Sequence, residues 1–284
     1  MKTAYKIISV ILVLSVVATV ISIVICRFSI KVTQYQVELD GVTTPVRAVL
    51  VSDVHARSFG KDNKRLLEKI EEQKPDVIFA DGDFISRDAS DEDVEKMLTL
   101  LSDFQKIAPV YYAPGNHEEG YPKRDEFYGK IQELGIDVLN DTYTDTQICG
   151  QSFRIGGTMG HAFKFGRTDE EFENSSEYKF LTEFQKTENP KICLAHMPDT
   201  FAFGYDSALG DIDLVLSGHT HGGLVRLLFV GGLYAPVQNF FPEYDKGYFK
   251  LGEKMQMIIC TGLDGYGFLP RINNLPEICV IDIT

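Results

Sequence analysis

Five short apolar runs in this 284-residue chain each break off at the threshold of a small cluster of metal-binding residues. Ser52-Asp53, Ala80-Asp81, Ala113-Pro114, Ala195-His196 and Ser217-Gly218 mark the breaks. Runs this short and this uniformly apolar read as strands buried on both faces. Amphipathic stretches lie between several of them, and strands separated by helices indicate parallel βαβ units. In such sheets ligands bind in the crevice beyond the carboxyl ends of the strands. Clusters that are distant in sequence are therefore expected to converge at one edge.

Along the chain, Val32–Leu39 reads as a lead-in strand and Arg47–Ser52 as a fully buried one. The pattern then predicts a helix over Lys61–Gln73, a strand at Val77–Ala80 and a helix near Asp91–Gln105. It continues with a strand at Val110–Tyr112, a helix near Lys123–Leu134 and a short strand at Asp137–Leu139. Gln147–Ile155 reads as one sheet strand, Asp169–Gln185 as a charged helical stretch, and Lys191–Ala195 and Leu214–Ser217 as short buried strands. The last third is rich in glycine and in strand formers, with Tyr248–Leu251, Met255–Thr261 and Ile278–Ile283 as its strands. These predict a second, mostly antiparallel sheet facing the first. The expected fold class is α/β, two facing β-sheets flanked by helices (an αββα sandwich), in one domain over residues 32–284.

Residues 1–31 stand apart. Ile7 to Cys26 carry no charge and are mostly Ile, Val and Leu. At about 1.5 Å per residue such a helix spans about 30 Å, the hydrocarbon thickness of a bilayer. A cleavable signal peptide has an apolar region of about 7–15 residues followed by a small-x-small site. Val24-Ile25-Cys26-Arg27 offers no such site, so the segment reads as a retained signal anchor, a single transmembrane helix. Lys2 and Lys6 flank one side, Arg27 and Lys31 the other. With the terminal amine added, the positive-inside rule favours a cytoplasmic N-terminus and a large domain outside.

The charge balance bears on partners. Those first 31 residues contain Lys2, Lys6, Arg27 and Lys31 and no acid, leaving 24 basic against 41 acidic side chains in the remainder, a net of −17. That argues against a nucleic-acid scaffold, whose affinity rests on neutralising phosphates with Lys and Arg. A phosphate substrate stays open, because bound cations reverse the field locally. The five cysteines are scattered without a CxxC pair, and Cys193 and Cys260 lie in apolar runs as buried thiols.

The motifs themselves carry the chemistry. Five of the six histidines fall in or beside Asp53-Val54-His55, Gly82-Asp83, Gly115-Asn116-His117-Glu118, His196 and Gly218-His219-Thr220-His221. Two aspartates, one asparagine and five histidines are enough ligands for two metal ions. A mixed oxygen and imidazole set without thiolate suits manganese first, with iron, zinc or cobalt as alternatives. A two-metal site is suited to phosphate ester hydrolysis, since one ion makes the nucleophile while both neutralise developing charge. Asp53 and His55, two apart, can turn toward one ion while Val54 packs away. Asp83 is the candidate bridging carboxylate, and His219 and His221 can each face a different ion.

In this order, DVH…GD…GNHE…H…GHTH resembles the calcineurin-like metallophosphoesterase superfamily. The segments GHTHGGLVRL, GGLYAP and CTGLDGYGFLPRINNLPEICVIDI resemble its membrane-associated YkuE-like branch. The resemblance covers roughly Gln34 to the end. It implies one ion held by Asp53, His55, Asp83 and His221, and another by Asp83, Asn116, His196 and His219. It implies that His117 faces the substrate. A hydroxide between the ions would then attack phosphorus, with His117 as general acid for the leaving alkoxide.

Several residues lie outside this pattern. Glu118 is expected either to orient the His117 imidazole or to be a solvent-facing carboxylate. Ser86-Arg87 and Gly157-Thr158-Met159 stand where the family often has carboxylates or amides, so substrate-side contacts differ; His161 reads as a loop residue. Arg57, Arg87 and Arg271 are candidate phosphate-side cations. The Gly231–Pro236 loop with Phe240, Phe241, Tyr244 and Phe268 is a candidate apolar lip, though core packing accounts better for most of these side chains. The expected activity is hydrolysis of a phosphodiester or pyrophosphate at the membrane, on a lipid-linked or cell-envelope substrate. A phosphomonoesterase or protein phosphatase is the alternative, and a catalytically idle scaffold a more distant one.

Overall fold

In the computed structural model the described residues are 2–158, 169–203, 210–265 and 269–284. His161, Met159 and Phe268 lie outside them. The chain begins with helix α1 (Lys2–Phe28), whose Ile, Val and Leu side chains are exposed along most of its length. It continues through β1 (Lys31–Val37), β2 (Val46–Val51), α2 (Lys64–Glu71), β3 (Val77–Asp81), α3 (Asp91–Ile107) and β4 (Val110–Ala113). A single turn, α4 (Asn116–Glu119), precedes α5 (Arg124–Glu133), β5 (Asp137–Val138), β6 (Thr142–Ile148) and β7 (Gln151–Gly157). Then follow α6 (Asp169–Glu173), α7 (Ser176–Phe184), β8 (Lys191–Leu194), α8 (Asp199–Ala202) and β9 (Leu214–Ser217). Two small hairpins come next, β10 (Arg226–Leu227) with β11 (Gly231–Gly232) and β12 (Tyr234–Ala235) with β13 (Asn239–Phe240). The chain closes with β14 (Gly247–Leu251), β15 (Met255–Ile259) and β16 (Glu277–Ile283).

Among the described residues these strands build two six-stranded sheets, β1-β16-β2-β3-β4-β5 and β14-β15-β9-β8-β7-β6. Alternation along each strand sorts side chains between layers. Ala48, Leu50, Phe79, Leu194, Leu216 and Ile258 point between the sheets and form the central core. Val49, Val51, Ile78 and Tyr112 point outward and pack under α2, α3 and α5. Cys193, Val215, Met257 and Ile259 point outward from the second sheet under α7. The αββα sandwich is thus the observed architecture. Helix α3 shows how locally the sequence specifies its parts. Ser90 accepts from Asp93 N while Asp93 accepts from Ser90 N, a reciprocal cap. Val94, Met97, Leu98, Leu101 and Phe104 then recur at helical spacing on the buried face.

Three sequence expectations are corrected. The second sheet is not mostly antiparallel: β7, β8, β9 and β15 run parallel, and among the described residues only the edge pairs β6·β7 and β14·β15 are antiparallel. Its inner strands are buried on both faces, the usual state of parallel strands. β16 joins the first sheet, between β1 and β2. Gln147–Ile155 is not one strand but the turn of a hairpin, reversed at Cys149 (φ 53°) and Gly150 (φ 82°). Two left-handed residues in succession make the tight turn that matches strand twist, with cysteine where asparagine is usual.

Candidate metal centre

The carboxyl ends of β2, β3, β4, β8 and β9 do meet at one edge, and their loops are laced together by backbone bonds. Asp53 N donates to Gly82 O at 3.0 Å, His55 N to Asp83 O at 2.9 Å, and Gly218 N to His196 O at 3.0 Å. Close approach is built in through glycine. A Cβ on Gly82 (φ 68°) would lie 2.5 Å from His196 Nδ1, and one on Gly218 would lie 2.5 Å from Asp53 Oδ2.

The expected ligands gather into two groups. Asp53, His55 and His221 present donor atoms within 4.8 Å of one another, and so do Asp83, His196 and His219. Asp83 connects the groups: its Oδ2 lies 3.1 Å from His196 Nε2 and 3.8 Å from His55 Nε2. Asp53 Oδ1 lies 3.7 Å from His221 Nε2 and 3.8 Å from His196 Nε2. Five of these residues hold left-handed backbones: Asp53, His55, Asp83, His219 and His221. For residues other than glycine that conformation is uncommon and marks a constrained site.

A second layer aims the rings. His196 Nδ1 meets Asp81 O at 2.8 Å and His221 Nδ1 meets Asp264 O at 3.1 Å. A carbonyl accepts only, so each Nδ1 carries a proton and each Nε2 is the nitrogen turned toward the carboxylates, where it would meet a metal. His55 Nε2, His219 Nε2 and Asn116 Oδ1 are buried with no hydrogen-bond partner. Buried polar atoms are ordinarily paired, so these atoms fit a centre that takes a cation.

The electrostatics agree. Burial raises the Asp53 carboxyl, and it pushes Asp81 up to about 8. Burial, then the neighbouring His196, lowers His219 to about 3. Burial opposes charge at His196 and Asp83 as well. Their mutual contact outweighs it, holding the imidazole well above its ordinary value and the carboxyl well below. A positive charge between Asp53 and Asp83 is what the pocket demands.

His117 is half-buried, stacks edge-on against His55 at 4.7 Å, and lines a cavity of about 420 Å³. Asp83, Arg87, Asn116, His219 and His221 line that cavity too, with Met197, Pro236 and Val237. Its backbone N donates to Asp83 Oδ1 at 2.8 Å, and its pKa is lowered by burial. The His117 ring also lies within ligand distance of His55 and Asp83. Neither reading of Glu118 holds. It is fully buried, and its carboxylate is taken up by the backbone N of Asp83, Phe84, Ile85 and Gly115, from which it accepts at 2.6–3.0 Å. It clamps two loops.

The arginines separate. Arg87 is exposed on the cavity wall, its stem against Gly120. Arg57 instead donates to Leu263 O, to Asp264, and to Cys26 O and Arg27 O at the end of α1. Arg271 is buried, with its guanidinium on the carbonyls of Thr261, Asp264 and His221. Neither faces the cavity, because backbone carbonyls occupy their donors. Arg271 fastens the loop whose carbonyl orients His221. The apolar lip is also revised: Phe240 and Phe241 are exposed rather than core, while Tyr244 packs on Phe203 and Phe249.

Asp81 was missed as a functional residue. Its carbonyl holds His196, and both its carboxylate oxygens are buried without a hydrogen-bond partner. The Asp-Gly-Asp spacing was its one visible signal. Asn274, which donates to His221 O at 2.6 Å, had none.

The model of the family described as calcineurin-like phosphoesterase matches residues 46–223, the stretch that contains every one of the clustered ligands. The chain belongs to that family. An uncharacterised metallophosphoesterase of Campylobacter jejuni is 27% identical over 259 residues, 89% of this chain and 63% of its own length. Phosphodiesterase YaeI of Escherichia coli is 29% identical over 215 residues, covering 75% of this chain and 72% of its own. The uncharacterised metallophosphoesterase YkuE of Bacillus subtilis is 25% identical over 240 residues, covering 84% and 78%. This chain thus spans less than two thirds of the Campylobacter relative. The family implies a dinuclear divalent metal site, for which the two donor groups are the candidate ligands.

Proposed function

We propose that this chain is a two-metal phosphoester hydrolase held at a membrane by α1, cleaving a phosphodiester or pyrophosphate bond. The observation that carries the reading is the meeting of two buried donor groups at Asp83. Asp53, His55, Asp83 and His221 would hold one ion, and Asp83, Asn116, His196 and His219 the other. When bound, such ions supply Lewis acidity and a nucleophile at neutral pH. The mixed oxygen and imidazole set favours manganese, with iron, zinc and cobalt next.

The chain's own groups divide the remaining work. His117, on the cavity wall beside both donor groups, donates a proton to the leaving oxygen. Arg87 meets a phosphoryl oxygen from the rim, in the manner that suits a guanidinium fork. Among the described cavity residues Arg87 is the one arginine or lysine. A diester monoanion needs fewer cations than a monoester dianion, which favours the diester. The name of the YaeI relative agrees.

Helix α1 is long and apolar enough to cross a membrane. Its retention as an anchor, with a cytoplasmic N-terminus and the domain of residues 32–284 outside, makes lipid-linked or envelope substrates the natural class. The test is the full chain in detergent, stripped with chelator and reloaded with manganese, iron, zinc or cobalt singly. Two ions per chain with cleavage of an aryl phosphodiester is the expected result. Cleavage of the aryl monoester alone would make it a phosphomonoesterase. A folded chain that binds no metal refutes the reading.

A further inference from the structure

The hairpin β10–β11 presents three apolar residues to solvent at its tip. Leu228 is 78% exposed, Val230 60%, and Phe229 fully so. Phe229 also has a left-handed backbone, φ 67°. A bulky side chain in that conformation, fully exposed, gains little packing in return for its strain. Exposed apolar groups contiguous with one another mark a contact surface.

What covers the tip follows from its position beside α1. Asn273 N donates to Ser22 Oγ of α1 at 2.7 Å, while Asn273 Nδ2 donates to Arg226 O at the base of the hairpin. Ile23 and Cys26 share a pocket with Leu269, Pro270 and Arg271, and Leu269 is itself exposed. The last part of α1, from Ser22, is therefore docked on the domain. Yet the uncharged run from Ile7 to Cys26 needs its full length of about 30 Å to cross a bilayer. The undocked part, Ile7 to Ile21, reaches only about 22 Å at 1.5 Å per residue. A fully embedded α1 draws the surface around Asn273 into the interfacial layer.

We infer that the Leu228–Val230 tip inserts into the lipid bilayer as a second membrane contact beside α1, setting the cavity mouth against the headgroups. This rests on the proposal that α1 spans the membrane, and deepens it by assigning an amphiphilic substrate a route to the metals. The hairpin base is tied to the metal loop. Arg226 donates to Gly222 O, next to His221, and pairs with Asp245, which also accepts from Gly232 N. Phe240 and Phe241 of the second hairpin are exposed as well, and Val237, between its strands, lies on the cavity wall.

The chain contains no tryptophan, so one introduced residue reports alone. Full-length Phe229→Trp and, separately, Ile11→Trp are reconstituted in vesicles of phosphatidylethanolamine and phosphatidylglycerol, with plain or brominated acyl chains. Emission of Phe229→Trp is expected to be blue-shifted and roughly halved by bromolipid, as for a side chain about 5–10 Å below the headgroup surface. If Ile11→Trp is quenched and Phe229→Trp emits unquenched as in water, the inference falls while the anchor stands. A blue shift without quenching means that protein, such as a second copy, covers the tip, and also overturns it. If neither is quenched, α1 does not span the bilayer and both readings fall.

Discussion

Glu118→Gln tests whether the metal loops are held by a buried carboxylate. Oε2 accepts from Asp83 N and Gly115 N, at 2.8 and 2.9 Å. Oε1 accepts from Phe84 N and Ile85 N, at 2.6 and 3.0 Å. Glutamine keeps the shape but has one acceptor oxygen. Whichever way its amide turns, two of the four donors face an NH₂ group. A hydrogen bond to a charged group is worth about 1.5–3 kcal/mol, so losing two costs about 3–6 kcal/mol. Part is returned, because burial disfavours the ionised Glu118 and raises its pKa, a penalty glutamine does not carry. The net expectation is a loss of about 2–4 kcal/mol. For a domain of this size that lowers the melting temperature on the order of 10 °C.

The four donors belong to Asp83, to the two residues after it and to Gly115, which precedes Asn116, so whichever pair is loosened metal affinity is expected to fall about 10–100-fold, as when supports of a metal ligand are removed. The assay is thermal melting of the chelator-stripped full chain in detergent, paired with metal counting across a titration. The alternative role, orienting His117, makes the opposite prediction: unchanged melting and metal content, with turnover lost on poor leaving groups. That second pattern would refute the clamp.

Asp83→Asn removes the charge that joins the two donor groups, and should abolish turnover while lowering bound metal below two per chain. A fully metallated, active variant refutes the bridging role. His117→Ala should retain both ions and lose about 10²–10⁴-fold in turnover on poor leaving groups, with a much smaller loss on nitrophenyl esters; loss of metal instead would make His117 a ligand. Asp199, buried and pushed up to about 6 by that burial, sits above its unfolded value near 3.9. Its contribution therefore favours the fold below about pH 4 and is lost as pH rises through 6, a span of about 3 kcal/mol. Asp199→Asn should flatten that decline and raise the melting temperature at pH 7.5, and denaturation at pH 4 and 7.5 with and without the substitution checks it.

What the sequence made legible was local. The runs ending at Asp53, Asp81, Ala113, His196 and Gly218 show where strands stop, and strand ends in parallel sheets face one edge, so convergence of the ligands follows from pattern alone. Strand direction and sheet membership do not. Met255–Ile259 pairs in parallel with β9 and Glu277–Ile283 crosses to the other sheet, outcomes set by neighbours that no short window contains. Arginines are equally opaque. Arg57, Arg87 and Arg271 look alike in sequence, and only the carbonyls of Leu263, Thr261 and Asp264 distinguish the two that are occupied.

The same limit explains why the support of the centre was invisible. Left-handed backbones at Asp53, His55, Asp83, His219 and His221 cost about 1–3 kcal/mol each. They persist only where the surroundings over-determine them. Those surroundings are main-chain bonds from distant segments: His219 N on Asp53 Oδ1 at 3.1 Å, His117 N on Asp83 Oδ1, and the four donors on Glu118. Each aspartate therefore has a structural duty in addition to any metal it binds, fixing the backbone of the next ligand loop. A ligand substitution at Asp53 or Asp83 removes charge and loop geometry together. Glu118→Gln leaves every proposed ligand in place and takes away bonds that fix the ligand loops, together with one buried charge outside the ligand set, so the metal affinity it costs bounds how far the centre is formed before an ion arrives.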